Sequence, residues 1–435
     1  MHSLIQRAVL SLALLAIVAG SADAQLLSTH YPEPSNNAAL HYNRALLSLG
    51  MVPFEQREAL SKPIWESFGD ASRSEIKAKI GQLAYEGRHA IRAALKGTSY
   101  EKADFGIDYS DYGHGVDLPH CQPMLELGRL VSLAGIHAQI EEDWAKSATL
   151  LFESLRMGRH MAHQPTLAES IVGVQILENT YFALAFWGSK CPEPLLVKQA
   201  FLRFEAATDG ILRPAFTLAN EASIIERQMD RVRTAYPDGP WAEMLLDSLG
   251  AFTIAKDKAT LEAKAIQLCK ERGVPASVFE SKANFDDYVS KLSRVRANYF
   301  RSLAACMTLP PNRRHGAATS VYNRAKTQLA KFSKSELMAP DYLVSVFATH
   351  SAERAMTRVA LAVAASKTSA GFPANLEAVA PVFSGDLPTS PYDGSPLVYQ
   401  LLNSGQDFSV TVPPAVSGQV QLPEIQFSSE LTAKP

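Results

Sequence analysis

Residues 124–140 read MLELGRLVSLAGIHAQI, residues 141–143 read EED, and residues 144–161 read WAKSATLLFESLRMGRHM. Both flanking stretches carry apolar side chains at helical spacing, and the acidic triplet between them makes a turn. The second helix therefore folds back on the first. Gly135, Ala138, Ala145 and Ala148 lie where two antiparallel helices must approach closely, and small side chains permit that approach.

The same period runs outward in both directions. Upstream, residues 36–49 present Ala39, Tyr42, Asn43, Leu46 and Leu47 as one face, with Ser35 or Asn36 as N-cap and Gly50 as the stop. Residues 72–96 read as one helix with a stripe of Ile76, Ile80, Leu83, Ile91 and Leu95, and Ser72 with Glu75 fits a capping box. Gly81 and Gly87 weaken that helix by up to about 1 kcal/mol each relative to alanine. Downstream, residues 166–187 are apolar nearly all round, so this helix belongs at the centre. Pro165 before it and Gly188 after it mark its ends.

Further helices are expected over 195–207, 213–235, 241–250, 285–307 and 317–332, and from Pro340 or Asp341 to about Thr368. Residues 256–280 are more polar and peripheral. Arg313-Arg314-His315, after Pro310-Pro311, reads as an exposed turn. Beyond Gly371 the chain changes character: prolines recur, and β-prone runs at 397–402 and 408–412 flank Asn403-Ser404-Gly405-Gln406-Asp407 as a hairpin. The reading is a mainly α protein, a helical-hairpin array or bundle over 25–338. A long helix with a small α+β module follows over 339–412, and 413–435 is a tail of little order.

Composition agrees with a globular chain, 47% hydrophobic and 20% charged, and large enough for at least one extensive core. Lysine plus arginine number 42 against 44 acidic residues, a net charge of −2 that offers no basic footprint for nucleic acid. Residues 1–24 look like an export signal. Arg7 precedes an apolar run over 8–19, and Ala22 and Ala24 supply the small residues of a cleavage site before Gln25. That run is too short for a comfortable span of the bilayer, and no later stretch approaches membrane length. The expected location is the periplasm or the exterior. Export permits disulfides among Cys121, Cys191, Cys269 and Cys306, whose spacing leaves both bridges and free thiols open.

Three resemblances emerge from these residues. The acidic turn followed by Trp144, Ala145 and Ala148 resembles the second-helix entrance of a tetratricopeptide repeat, over about one repeat. Phe105-Gly106-Ile107-Asp108-Tyr109, Leu118-Pro119-His120 and Gln164-Pro165-Thr166-Leu167 are similar to a group of exported bacterial helical proteins with no assigned activity. That likeness spans 37–187 and implies architecture only. Over 353–412, Gly371-Phe372-Pro373, Leu387-Pro388 and Pro391-Tyr392-Asp393-Gly394 with the two β-prone runs resemble the head module of type II secretion major pseudopilins. The apolar half-helix and the calcium-holding segment of that family are missing here, so the resemblance implies a small α+β module without pilus assembly or a calcium site.

Residues 97–123 form an irregular loop rich in Gly, Asp, Tyr and His, long enough to invite a functional reading. Asp104, Asp108, His114 and His120 are its candidate ligands for a divalent metal. The competing reading has Asp108 capping a turn and His120 buried and satisfied. His160 and His163 could join Glu169 at a metal across Pro165, or sit at a helix C-terminus, where the helix dipole favours a protonated ring. Arg227, Arg231 and Arg233 with Glu226 and Asp230 read as a solvated mixed-charge face. Gly-x-Ser-x-Gly, Walker and Rossmann signatures are missing. The function expected is a scaffold that binds a protein or peptide and requires no cofactor; the alternative is a metal-dependent hydrolase using 104–121.

Overall fold

The computed structural model describes residues 36–62, 73–107, 109, 118–234, 258–271, 273–333, 337–383, 387–417 and 420–429. The protein is mainly helical, with a small antiparallel sheet near its C-terminus. The export signal, Asp108, His114 and the helix expected over 241–250 lie outside the described residues.

The first helices among the described residues are α1 (Ala38–Leu49), α2 (Phe54–Ser61), α3 (Arg73–Glu86) and α4 (Arg88–Thr98). The single helix expected over 72–96 is broken at Gly87 into α3 and α4. Gly87 also marks a close approach, because a β-carbon there would stand 2.6 Å from a methyl of Leu130. The quoted hairpin is α5 (Cys121–Ile140) and α6 (Trp144–Ala162), followed by α7 (Leu167–Lys190). Gly135 lets the hairpin close, since its missing side chain leaves room for Leu151. Ala138 and Ala148 are buried at the same contact, whereas Ala145 faces outward. As its composition requires, α7 is central: it packs against α5, α6 and later helices, and Tyr181, Leu184 and Trp187 are fully enclosed.

The chain continues through α8 (Pro194–Thr208), α9 (Pro214–Thr234), α10 (Lys258–Glu271), α11 (Lys282–Met307), α12 (Pro311–Leu329) and α13 (Pro340–Ala365). Pro311 starts α12, the position where a fixed φ and a missing N–H cost nothing. Arg313-Arg314-His315 therefore lies on a helix, and His315 is buried with its Nε2 2.7 Å from Asp341 Oδ1. On α9, Arg233 pairs with Asp230, and Glu226 reaches across to Arg301 of α11. That face therefore serves partly as a helix–helix contact.

Strands β1 (Val398–Leu402) and β2 (Asp407–Val412) form the expected hairpin, turned by Asn403, Ser404 and Gly405, all at positive φ. The tail differs from expectation. Strand β5 (Ile425–Ser428) pairs with the outer edge of β2 and buries Phe427, while β3 (Ala415–Ser417) and β4 (Val420–Leu422) form a second small hairpin. Alternation explains the error: Ile425 and Phe427 share one strand face, a two-residue signal too short to read alone.

Buried apolar side chains fall into three groups. One joins α1, α4 and α5 around Tyr42 and Leu130. A second joins α9, α11, α12 and the first half of α13. The third joins α6, α7, α8 and the second half of α13 with the sheet, so Trp187, Leu361, Phe408 and Phe427 share one core. Among the described residues, α13 contributes to the second and third of these cores, and the sheet shares its core with α6, α7 and α8. All four cysteines are free thiols.

Candidate functional site

The irregular loop is tied down before it reaches its polar centre. At the start of α1, the Asn37 side chain donates to the Asp104 carbonyl at 2.7 Å and accepts from the Asp104 amide at 2.8 Å. The Gln164 amide donates to the Ala103 carbonyl at 2.7 Å. These bonds lay residues 102–106 across α1 and the end of α6. Phe105 then stacks on His120, with ring centroids 4.1 Å apart.

Beneath that stack lies Glu169, with no exposed surface. It is the third residue of α7, where free backbone amides favour a carboxylate. Thr166 and Glu169 cap the helix reciprocally: the Glu169 amide donates to Thr166 Oγ1 at 3.2 Å and the Thr166 amide to Glu169 Oε2 at 3.2 Å. The same carboxylate accepts from Thr166 Oγ1 at 2.7 Å and from the Tyr109 hydroxyl at 2.9 Å. His120 Nε2 lies 2.9 Å from Glu169 Oε1. Four donor groups therefore converge on one acceptor-only carboxylate. The Nε2 of His120 is therefore a donor to this carboxylate. His120 Nδ1 is buried without a protein partner.

The electrostatics make this an acceptor site and a poor nucleophile site. Burial and the Glu169 charge push the Tyr109 hydroxyl well above its ordinary range, so it stays a donor. The same two causes raise the Cys121 thiol to about 12, which keeps it from becoming the thiolate a nucleophile needs. Burial also raises Glu221, whose carboxylate accepts the Leu167 amide at 3.0 Å.

Of the four candidate metal ligands, Asp104 and His120 lie among the described residues, and each turns to another partner. Asp104 turns its carboxylate to the Gly106 amide at 2.8 Å, forming a local turn, and the Nε2 of His120 is committed to Glu169. Among the described residues, no group of three or more His, Cys, Asp or Glu side chains is arranged to hold a metal ion. His160 accepts from or donates to Tyr42, its Nδ1 2.6 Å from the hydroxyl, and does not meet Glu169. Burial, with nearby Arg156, lowers His160 to about 4, so this ring is neutral near pH 7. The helix-end reading of a favoured cation is thereby reversed.

His120 also lines a groove of about 490 Å³ between α1, α2 and the start of α5. Leu46, Leu47, Leu49, Pro119 and Pro123 make its walls apolar, and Arg57 stands at its edge. Glu126, itself buried, holds the Arg57 guanidinium through contacts of 3.0 and 3.2 Å. Around the same corner Leu47, Met51 and Phe54 are 77%, 85% and 75% exposed. Sequence reasoning did not find this groove, because it joins residues 43–57 to 119–123 across an intervening helical pair. The Thr166-x-x-Glu169 spacing was a readable capping signal. Its additional role for His120 needed the fold.

Comparisons with protein-family models, curated proteins and solved structures find no match to this chain.

Proposed function

We propose that the protein is an exported helical scaffold that binds a protein or peptide through the groove between α1, α2 and α5. One observation carries this reading. Three large apolar side chains, Leu47, Met51 and Phe54, stand in solvent within eight residues of one another, and Leu47 lines the apolar groove. Soluble proteins rarely leave such side chains clustered without a partner to cover them. The groove's volume suits a few side chains of a bound segment. Support for export comes from residues 8–24, with their apolar run and Ala22-x-Ala24 end. Among the described residues, no helix is long and apolar enough to cross a membrane.

The test places a photoactivatable side chain at Leu47 or at Met51, with the equally exposed Leu195 on α8 as control. Crosslinked adducts from Leu47 and Met51 and none from Leu195 support the reading. Equal labelling at all three positions refutes it. Mass analysis of the exported chain should show a mature N-terminus at Gln25.

A further inference from the structure

Helices α1 and α4 pack against each other, and their sequences, AALHYNRALLSL and RHAIRAALKGT, contain no aspartate or glutamate. They carry Arg44, Arg88, Arg92 and Lys96, with His41 and His89, although the whole chain has more acidic than basic residues. The two helices run antiparallel, since the Ala38 amide at the start of α1 donates to the Lys102 carbonyl just past the end of α4. Arg88, Arg92 and Lys96 recur every fourth residue and form one exposed row about 12 Å long. Lys96 and Arg44 both lie close enough to His41 that, after burial, their charges lower its ring below the ordinary value. The row on α4 and Arg44 on α1 therefore belong to one cationic face. Among the described residues, Arg44, Arg92 and Lys96 meet no carboxylate. Of the acids that flank α4 in sequence, Glu86 is held by the Gln56 and Gln82 amides at 3.0 and 3.1 Å, and Glu101 stands next to Lys102.

Apolar side chains share this face. Leu40, Arg44 and Leu47 follow one another at helical spacing along α1, and all three are exposed, the leucines by 44% and 77%. Beside the first turn of α4, the Arg88 guanidinium lies 4.3 Å from the centre of the exposed Tyr85 ring. An anionic bilayer answers both features at once: its headgroups take the cations, and the boundary of its acyl chains takes leucine and tyrosine. A soluble polyanion answers the charge alone. We infer that α1 and α4 make a peripheral contact with an anionic lipid surface, with Arg44, Arg92 and Lys96 on the headgroups and Leu40 set among them. The inference goes beyond the groove and does not rest on it. Leu47 belongs to both surfaces, so the test leaves it unchanged.

The experiment sediments the full mature chain with vesicles of phosphatidylcholine alone and with vesicles of equal parts phosphatidylcholine and phosphatidylglycerol. At low salt the anionic vesicles should take up the protein about tenfold better or more, and the difference should close as salt screens the charges. Arg92→Gln combined with Lys96→Gln should weaken uptake about twentyfold, the usual effect of removing two cations from a charged leaflet. Lys198→Gln combined with Lys331→Gln removes the same charge from exposed positions on α8 and after α12, and should leave uptake unchanged. Leu40→Ser should weaken uptake about threefold. The urea midpoint, unchanged in each variant, shows that the fold is intact. Equal uptake by the two kinds of vesicle, uptake by neither, or equal losses in the two double variants overturns the inference. Polyglutamate that binds as tightly as the anionic vesicles and ignores Leu40→Ser also overturns it, and assigns the face to an acidic protein. None of these results touches the protein crosslink from Met51 by which the groove reading is judged.

Discussion

Gly173 of α7 lies directly against Ala162 at the end of α6: a β-carbon built on Gly173 would stand 2.3 Å from the Ala162 amide nitrogen. It would also come within 2.7 Å of the Gly158 carbonyl oxygen, and Gly158 in turn makes room for Leu177. Two glycines one helical turn or so from each contact thus set how closely α6 and α7 cross. The atoms in the way are backbone, which cannot swing aside as a side chain can.

Gly173→Ala should therefore destabilise the protein by about 3 kcal/mol, at the upper end of the usual overpacking range. Gly316→Ala, on the exposed surface of α12 with no atom within 4 Å of the added carbon, should instead stabilise by up to about 1 kcal/mol. Urea midpoints for the two variants read out the contrast. Equal effects would mean that α6 and α7 do not cross at this distance.

The cap at the start of α7 gives a graded second prediction. Thr166→Ala removes one capping acceptor and should cost about 1 kcal/mol. Glu169→Gln is more severe, because a carboxamide turns donors toward Thr166, Tyr109 and His120, which are donors themselves. A cost of about 3 kcal/mol is expected for breaking this buried polar network. Amides near residues 103–107 should exchange faster in Glu169→Gln, since Phe105 rests on His120 and His120 on Glu169. Unchanged exchange there would show that the loop is held by Asn37 and Gln164 alone.

The contrast between fold and site in legibility has a physical origin. Helices such as residues 124–140 and 144–161 announce themselves because each buries a periodic stripe, and that stripe is local in sequence. The close contact at Gly87 was hidden because its partner, Leu130, lies 43 positions away and on another helix. The polar centre was half visible. Thr166 and Glu169 form a local capping motif, and His120 stood out as an imidazole in an unusual loop. Their pairing spans 49 positions and depends on how α5 meets α7. Asp104 and His120 turn to the Gly106 amide and to Glu169, a choice of partner that composition does not encode, since it reports which ligands are present and says nothing of where they point.

The acid limb of the stability profile should be set by buried imidazoles. Burial lowers His160 to about 4 and His350 to about 3. Both folded values lie below the unfolded value near 6.5, so the unfolded chain binds protons first as pH falls. Their contribution is complete above about pH 6.5 and is lost progressively down to the folded values. Proton NMR should show two histidine ring signals that do not titrate between pH 5 and 8. Tyr42→Phe should cost about 1–2 kcal/mol at pH 7, because it leaves His160 Nδ1 buried and unpaired. Histidines that all titrate near 6.5 would contradict this account.

On the alkaline side the controlling groups are Glu178 of α7 and Glu353 of α13. Burial raises Glu178 to about 7 against the pull of Arg129, and burial together with Glu178 raises Glu353 well above its ordinary value. Glu353 Oε2 is buried with no partner. Arg354 and His350 of α13 and Tyr181 of α7 also face this region; His350 is neutral here. An unfolded glutamate releases its proton near 4.3, whereas the folded pair retains at least one proton to about pH 7 or beyond. Stability from this pair is therefore greatest below the unfolded value and declines as pH rises through the folded ones. Between about pH 4.3 and 6.5 the imidazole contribution rises with pH and offsets the decline, so the carboxyl effect is exposed only above 6.5. The denaturation midpoint of the natural chain should fall from pH 6.5 to 9. Glu353→Gln, which mimics the protonated carboxyl, should flatten that fall while changing little at pH 5.5. Parallel pH profiles for the two proteins would show that α7 and α13 meet without a shared proton between these side chains.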